Sequence, residues 1–268
     1  MSFIETSKWI AGAGGVTRRQ SRLVFGGIAL AGLTVWAASG TEFNLVKLIS
    51  GVPEIIALLK RMLPPNFTVV GGLMWPMVET MEMALLGTTL PIVFAFPLSF
   101  LAADNTSPHR IVLGFTRVFA AFLRTVPDLV WGMILVSAVG LGPMPGVLAL
   151  TLHAIGGLTK MFYEAIENVP KGSVEALDAL GANRLRIILF VIIPGVMPAM
   201  ISNVLLYWEY NNRSAAVLGL VGAGGIGLAL TQALADFRYR DVSMCLLVIV
   251  VVLVVIDLLS ASLRKRVI

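Results

Sequence analysis

The sequence predicts an all-α integral membrane protein with about six transmembrane helices, and three observations carry that prediction. Mean hydropathy is +0.90, with 57% hydrophobic and 13% charged residues, whereas soluble domains carry about 25% charged residues. Apolar runs recur along the chain, and a helix needs roughly 20 such residues to cross the hydrocarbon. Basic residues gather outside the runs: Lys8, Arg18, Arg19 and Arg22 precede the first, and Arg264, Lys265 and Arg266 follow the last. Lys and Arg accumulate on cytoplasmic flanks, so both termini are placed inside and the number of crossings is even. The same rule accounts for the net charge of +5 without a nucleic-acid partner.

The elements follow in order. Residues 1–22 read as a cytoplasmic N-terminus leading into a retained signal-anchor, since no small-residue cleavage site follows. Residues 23–40 form the first transmembrane helix. Residues 41–76 read as an external segment with one or two amphipathic helices, because Lys47, Glu54, Lys60 and Arg61 interrupt its apolar pieces and Pro64-Pro65 breaks a helix. The core occupies residues 77–268. Its spans are expected at about 77–103, 112–139 (with Pro127 as a kink), 147–166, 192–210 and 242–263. A tight external turn is expected over 140–146, dense in Gly and Pro.

A charged island over residues 167–190 breaks the apolar pattern. Ser173 reads as an N-cap, with Glu175 and Asp178 near the first turn, where the helix dipole favours negative charge. Ala176, Leu177 and Leu180 share a face at helical spacing, and Gly181 permits a sharp exit. Pro194 restarts the chain near the next span. Residue types alone leave an ordinary loop helix as good a reading as a docking part. The island also resembles a known motif: Glu175, Ala176, Gly181, Val191, Ile193 and Pro194 fall in register with the "EAA" loop of bacterial ABC importer permeases, with Leu177 in place of the second Ala. The resemblance implies a type I ABC importer permease whose cytoplasmic coupling helix docks on an ATPase through Glu175, Ala176, Ala179, Gly181 and Pro194. No Walker A sequence occurs in the chain. ATP and Mg are therefore expected on a separate ABC ATPase dimer, with no cofactor in this chain.

A second signature is Trp208-Glu209-Tyr210-Asn211-Asn212-Arg213-Ser214-Ala215, running into Gly219, Gly222, Gly224, Gly225 and Gly227. It resembles the phosphonate-type permeases (the PhnE family), whose relatives carry phosphite or hypophosphite. Gly140, Gly142, Pro143, His153, Lys160, Glu164 and Glu167 add to the match. This resemblance implies import of a phosphorus oxyanion across the bacterial inner membrane, from an external binding protein, by a pair of copies of the chain. Glu209, Asn211, Arg213, Ser214, Gly222, Gly224 and Gly225 are its expected translocation-pathway and gate residues. Read alone, Gly222-x-Gly224-x-x-Gly227 is formally a dinucleotide fingerprint, but it lacks the required flanking strand and acidic residue. A flexible re-entrant turn, buried in protein or lining a cavity, fits better.

Glu209 and Arg213 stand four apart in the favourable order for a helix pair. A self-neutralised pair competes with the reading in which Arg213, with Asn211 and Ser214, offers donors to an oxyanion. Arg124 and Asp128 repeat the spacing with charges reversed. His109 and His153 are too separated in sequence for a His-based metal site, Cys245 reads as a small hydrophobe, and Met74, Met77, Met81 and Met83 as packing. Rival classes are an amino-acid permease, for methionine for instance, an autonomous ion-coupled transporter or channel resting on Glu209 and Asp257, and a membrane enzyme. No catalytic constellation supports the last.

Overall fold

A computed structural model describes residues 13–41 and 43–267, and among these the regular structure is entirely helical. The chain divides into two units, Met1–Lys60 and Arg61–Ile268. The first holds α1 (Ala13–Gly40) and most of α2 (Leu45–Met62). Lys8, and the side chains of Arg18, Arg19 and Arg22, lie outside the described residues, as does most of the expected 1–22 segment. No residue of α2 is buried.

The second unit is a helical bundle of α3 (Val70–Ala102), α4 (Arg110–Thr125), α5 (Asp128–Val139), α6 (Pro143–Glu167), α7 (Lys171–Ala179), α8 (Arg184–Ile187), α9 (Ile193–Leu218), α10 (Gly225–Ala235) and α11 (Tyr239–Val267). Helix α6 is the hub, packed on α3, α4, α5 and α9. Small residues make those approaches possible. A Cβ on Gly87 of α3 would sit 2.6 Å from that of Leu150, and Ala84 and Ala149 are fully buried nearby. Between membrane helices, close backbone packing replaces the hydrophobic drive available in water. The buried face of α3 runs Leu73, Met77, Thr80, Ala84, Gly87, Pro91, Ala95, Ser99, Ala102, the three-and-four spacing of one helix stripe.

Three helical stretches are long and apolar enough to span a membrane: Phe67–Ala102, Arg184–Val221 and Tyr239–Arg266. Arg110–Thr125 with Asp128–Val139 adds a fourth as a bent pair. Helix α6 has span length, but His153, Lys160, Glu164 and Glu167 dilute its hydropathy. Its central position removes the need for a lipid-facing surface all round.

Several expected boundaries shift for local reasons. Asn66 caps a one-turn 3-10 helix (Phe67–Val69) that leads directly into α3, so Trp75 and Pro76, expected in the segment before the core, lie inside a helix of span length. The 140–146 turn contracts to Gly140–Gly142, both glycines at positive φ, because Pro143 serves as the first residue of α6. Pro127 does more than kink a helix. Val126, held extended before it, ends α4, and the axis turns by 82° before α5. Pro194 does not restart the chain either. The helix is continuous from Arg184 to Val221, and a π-turn (Ile188–Ile192) just ahead of Pro194 accommodates its missing N–H.

Candidate functional site

One end of the bundle carries α7, the helix of the charged island. It begins at Lys171 after Pro170, so Ser173 lies inside the first turn and makes no cap. No acid falls in that turn; Glu175 and Asp178 come later. The apolar face also differs from expectation. Val174 and Leu177 pack on the core beside Ile187 and Val196, whereas Ala176 and Ala179 are exposed and Leu180 is 83% exposed. Gly181 takes φ +76°, its N–H donates to Asp178 O at 2.8 Å, and Ala182 N–H reaches Leu177 O at 3.2 Å. Those two bonds form a Schellman ending, which turns the chain sharply and leaves Glu175, Ala176, Ala179 and Leu180 on one outward platform. Pro194 is also exposed, on α9.

The platform's base is held by residues outside the island motif. Arg117 on α4 pairs with Glu167 and, at 3.5 Å, with Asp104, donates to Ala102 O at 2.8 Å, and lies over the Tyr163 ring. Asn105 donates to Ile166 O at 2.8 Å, and Arg184 to Ser107 O at 2.7 Å. The ends of α3 and α6 are thus tied to the middle of α4 where α7 departs.

The other end carries the glycine turn. Gly222, Gly224 and Gly225 have φ of +91°, +80° and +68°, a left-handed run that side chains resist. Two groups from α3 hold it: Glu79 accepts from Gly225 N–H at 2.8 Å and Thr80 Oγ from Ile226 N–H at 2.9 Å. These are orphan donors at the start of α10, satisfied from another helix, and the Glu79 carboxylate also meets the positive end of the helix dipole. Gly142 N–H donates to Gly222 O at 3.0 Å, joining the turn to the start of α6. Beside it a cavity of about 450 Å³ is lined by Trp75, Glu79, Glu82, Met83, Pro143 and Val147, among others. Glu79 and Thr80 escaped sequence reasoning, although an acid in an apolar run with no nearby cation signals a distant partner.

The α9 signature splits by side. Arg213 bonds Glu209 at 2.7 Å and Asp257 of α11 at 2.8 Å, and Arg264 reaches Glu209 at 3.3 Å, so the sequence-neighbour pair is half of a four-member network. Asn211 faces the opposite way. Fully buried, it donates to Gly87 O at 3.0 Å and Thr88 Oγ at 2.9 Å. Arg213 and Asn211 therefore do not converge. Ser214 and Arg213 do share a shallow cavity of about 180 Å³ with Asp128. Arg124 and Asp128 form no ion pair, since the α4–α5 break separates them. Among the described residues no group of His, Cys, Asp and Glu could hold a metal.

Residues 95–268 match the family described as "binding-protein-dependent transport system inner membrane component". The chain belongs to that family. It is a membrane permease of the ABC transport type. The phosphite transport system permease protein PtxC of Stutzerimonas stutzeri is 40% identical over 92% of this chain and 88% of its own. The putative phosphite permease HtxC of the same organism is 37% identical over 93% and 88%. A chain of the inward-facing MetNI methionine ABC transporter superposes with a TM-score of 0.65 at 21% identity, over 76% of this permease and 99% of that chain. This last likeness concerns the fold alone.

Proposed function

We propose that this permease is the transmembrane subunit of an ATP-driven importer of phosphite, phosphonate or a related phosphorus oxyanion. Two copies would enclose the pathway, an ABC ATPase dimer would bind at α7, and an external binding protein would deliver substrate at the glycine-turn end. The carrying observation is the α7 platform. Leu180 stands 83% exposed beside small Ala176 and Ala179, at the end of a helix whose inward face is already packed. An apolar side chain so displayed, beside Glu175, fits a protein cleft better than water. The substrate class rests on the phosphite permeases at about two-fifths identity over most of both chains, against 21% for the superposed methionine transporter chain. The glycine turn, latched by Glu79 and Thr80, is read as part of the gate at its end of the pathway, and Pro194 with the π-turn as the joint that carries motion from α7 into α9.

Purification of the tagged chain from its native membrane in mild detergent tests the assembly. A soluble ATPase is expected as a stoichiometric companion and is lost on Glu175→Arg while the chain remains folded. A chain that arrives alone, yet moves solute in vesicles, points instead to an autonomous carrier.

A further inference from the structure

Helix α4 ends at the bend of the Arg110–Val139 pair, and Arg124, Asp128 and His153 gather polar groups around that bend. Arg124 lies 14 residues, or ~20 Å of helix, from the start of α4, and the 82° break follows directly after it. Its side chain is exposed on the surface of the chain, and among the described residues no carboxylate lies within 4 Å of it. Arg213, by contrast, is already held by Glu209 and Asp257. A guanidinium at that depth does not face lipid; it faces a water-filled path or another polypeptide.

The neighbours of Arg124 favour the path. Gly156 of α6 lets the α4 backbone approach at Ala120 and Arg124, and a Cβ on the adjacent Gly157 would overlap the Tyr207 hydroxyl. Arg124 and Tyr207 are thus seated on consecutive α6 positions. Tyr207 is half-buried, and its hydroxyl has no hydrogen-bond partner among the described residues. His153 bonds through Nδ1 to the Val126 carbonyl at 3.2 Å, at the helix break itself. A carbonyl only accepts, so Nδ1 carries the proton and Nε2 is the ring's remaining polar atom. His153 stacks on Tyr210, whose hydroxyl is oriented by Asp128 at 3.4 Å. Broken helices at membrane depth occur where the backbone is buried in protein or lines a water-filled cavity, and exposed Arg124 fits the second setting.

We propose that Arg124 and the Tyr207 hydroxyl, at the α4–α5 break, are a mid-membrane contact station for the transported oxyanion. The guanidinium fork takes two oxygens of the anion, and the phenol donates to a third. His153 and Tyr210 wall the station, with Asp128 as a positioning residue. This deepens the proposed function and rests on its oxyanion substrate class.

The test uses the complete transporter, permease with its ATPase and binding protein, in proteoliposomes, with phosphite and methylphosphonate as probes. Arg124→Gln is expected to slow uptake at least roughly tenfold, the loss expected for one charge-assisted hydrogen bond. Arg124→Lys restores part of the rate and Tyr207→Phe lowers it less. ATP hydrolysis stimulated by the loaded binding protein persists in all three. In a Cys245→Ser background, Tyr207→Cys is expected to react with a membrane-impermeant thiosulfonate during turnover, and either probe slows that reaction. Wild-type uptake by Arg124→Gln overturns the station, as does loss of ATPase assembly in that variant, which makes Arg124 structural. Absence of labelling at Tyr207→Cys overturns it independently. A wild-type complex that moves neither probe removes the substrate class, and the oxyanion station with it; labelling without protection in a complex that does transport removes the station alone.

Discussion

Gly225 and Thr80 show how single residues set the geometry of the glycine turn. A Cβ at Gly225 meets φ +68° and the Thr80 hydroxyl at once. Gly225→Ala is therefore expected to destabilise the purified chain by more than ~1 kcal/mol, seen as a lower midpoint of thermal unfolding in detergent. Thr80→Val strands the Ile226 N–H and should cost about 1–3 kcal/mol, with Thr80→Ser recovering most of it. An unchanged midpoint for both would mean that the turn is held by something else. Of these groups only the glycines are legible in the sequence, because positive φ leaves a residue-type signature. Glu79 and Thr80 act across 146 positions, and no local spacing records that. Glu209 and Arg213 were legible for the opposite reason, being four apart on one helix, while Asp257 and Arg264 join the network only through the packing of α11 on α9.

Among the elements, α7 separates a face that folds from the face proposed to dock. Leu177→Arg buries a charge against the core around Ile187 and Val196 and should lower thermal stability clearly. Leu180→Arg should leave stability within about ±0.5 kcal/mol, as for most surface changes, yet abolish co-purification of the ATPase. The reverse pattern would assign the docking face to the other side of the helix. Periodicity identified α7 but not its orientation: Ala176, Leu177 and Leu180 are compatible in spacing, and only the contacts of Val174 and Leu177 show which way the helix rolls. The N-cap expectation failed because Pro170 and Lys171 open the helix two residues before Ser173. Its C-terminus was legible, since Gly181 supplies the left-handed residue that a Schellman ending requires. The Arg117 cluster anchors this element. Arg117→Ala removes a partly buried ion pair together with a bond to the Ala102 carbonyl, for roughly 1–3 kcal/mol, and should loosen α7 as judged by faster hydrogen exchange over 167–182.

For the whole molecule, composition alone established a membrane protein, but hydropathy could not count its spans. The most buried long helix, α6, carries too many polar residues to register as a span, and the Pro127 break splits another into two short pieces. Each departure from a simple apolar helix lies near a proposed working part: the break beside Arg124 and His153, the π-turn beside Pro194, and the left-handed glycines under Glu79. We propose that these parts together serve ATP-driven import of a phosphorus oxyanion. The most direct measurement is uptake of phosphite and methylphosphonate, with methionine as control, by proteoliposomes containing the permease, its ATPase and its binding protein. Accumulation of a phosphorus oxyanion that requires both ATP and the loaded binding protein, with no methionine uptake, is the predicted result. ATP-dependent methionine uptake, or oxyanion flux that persists without ATP, would overturn the proposed function.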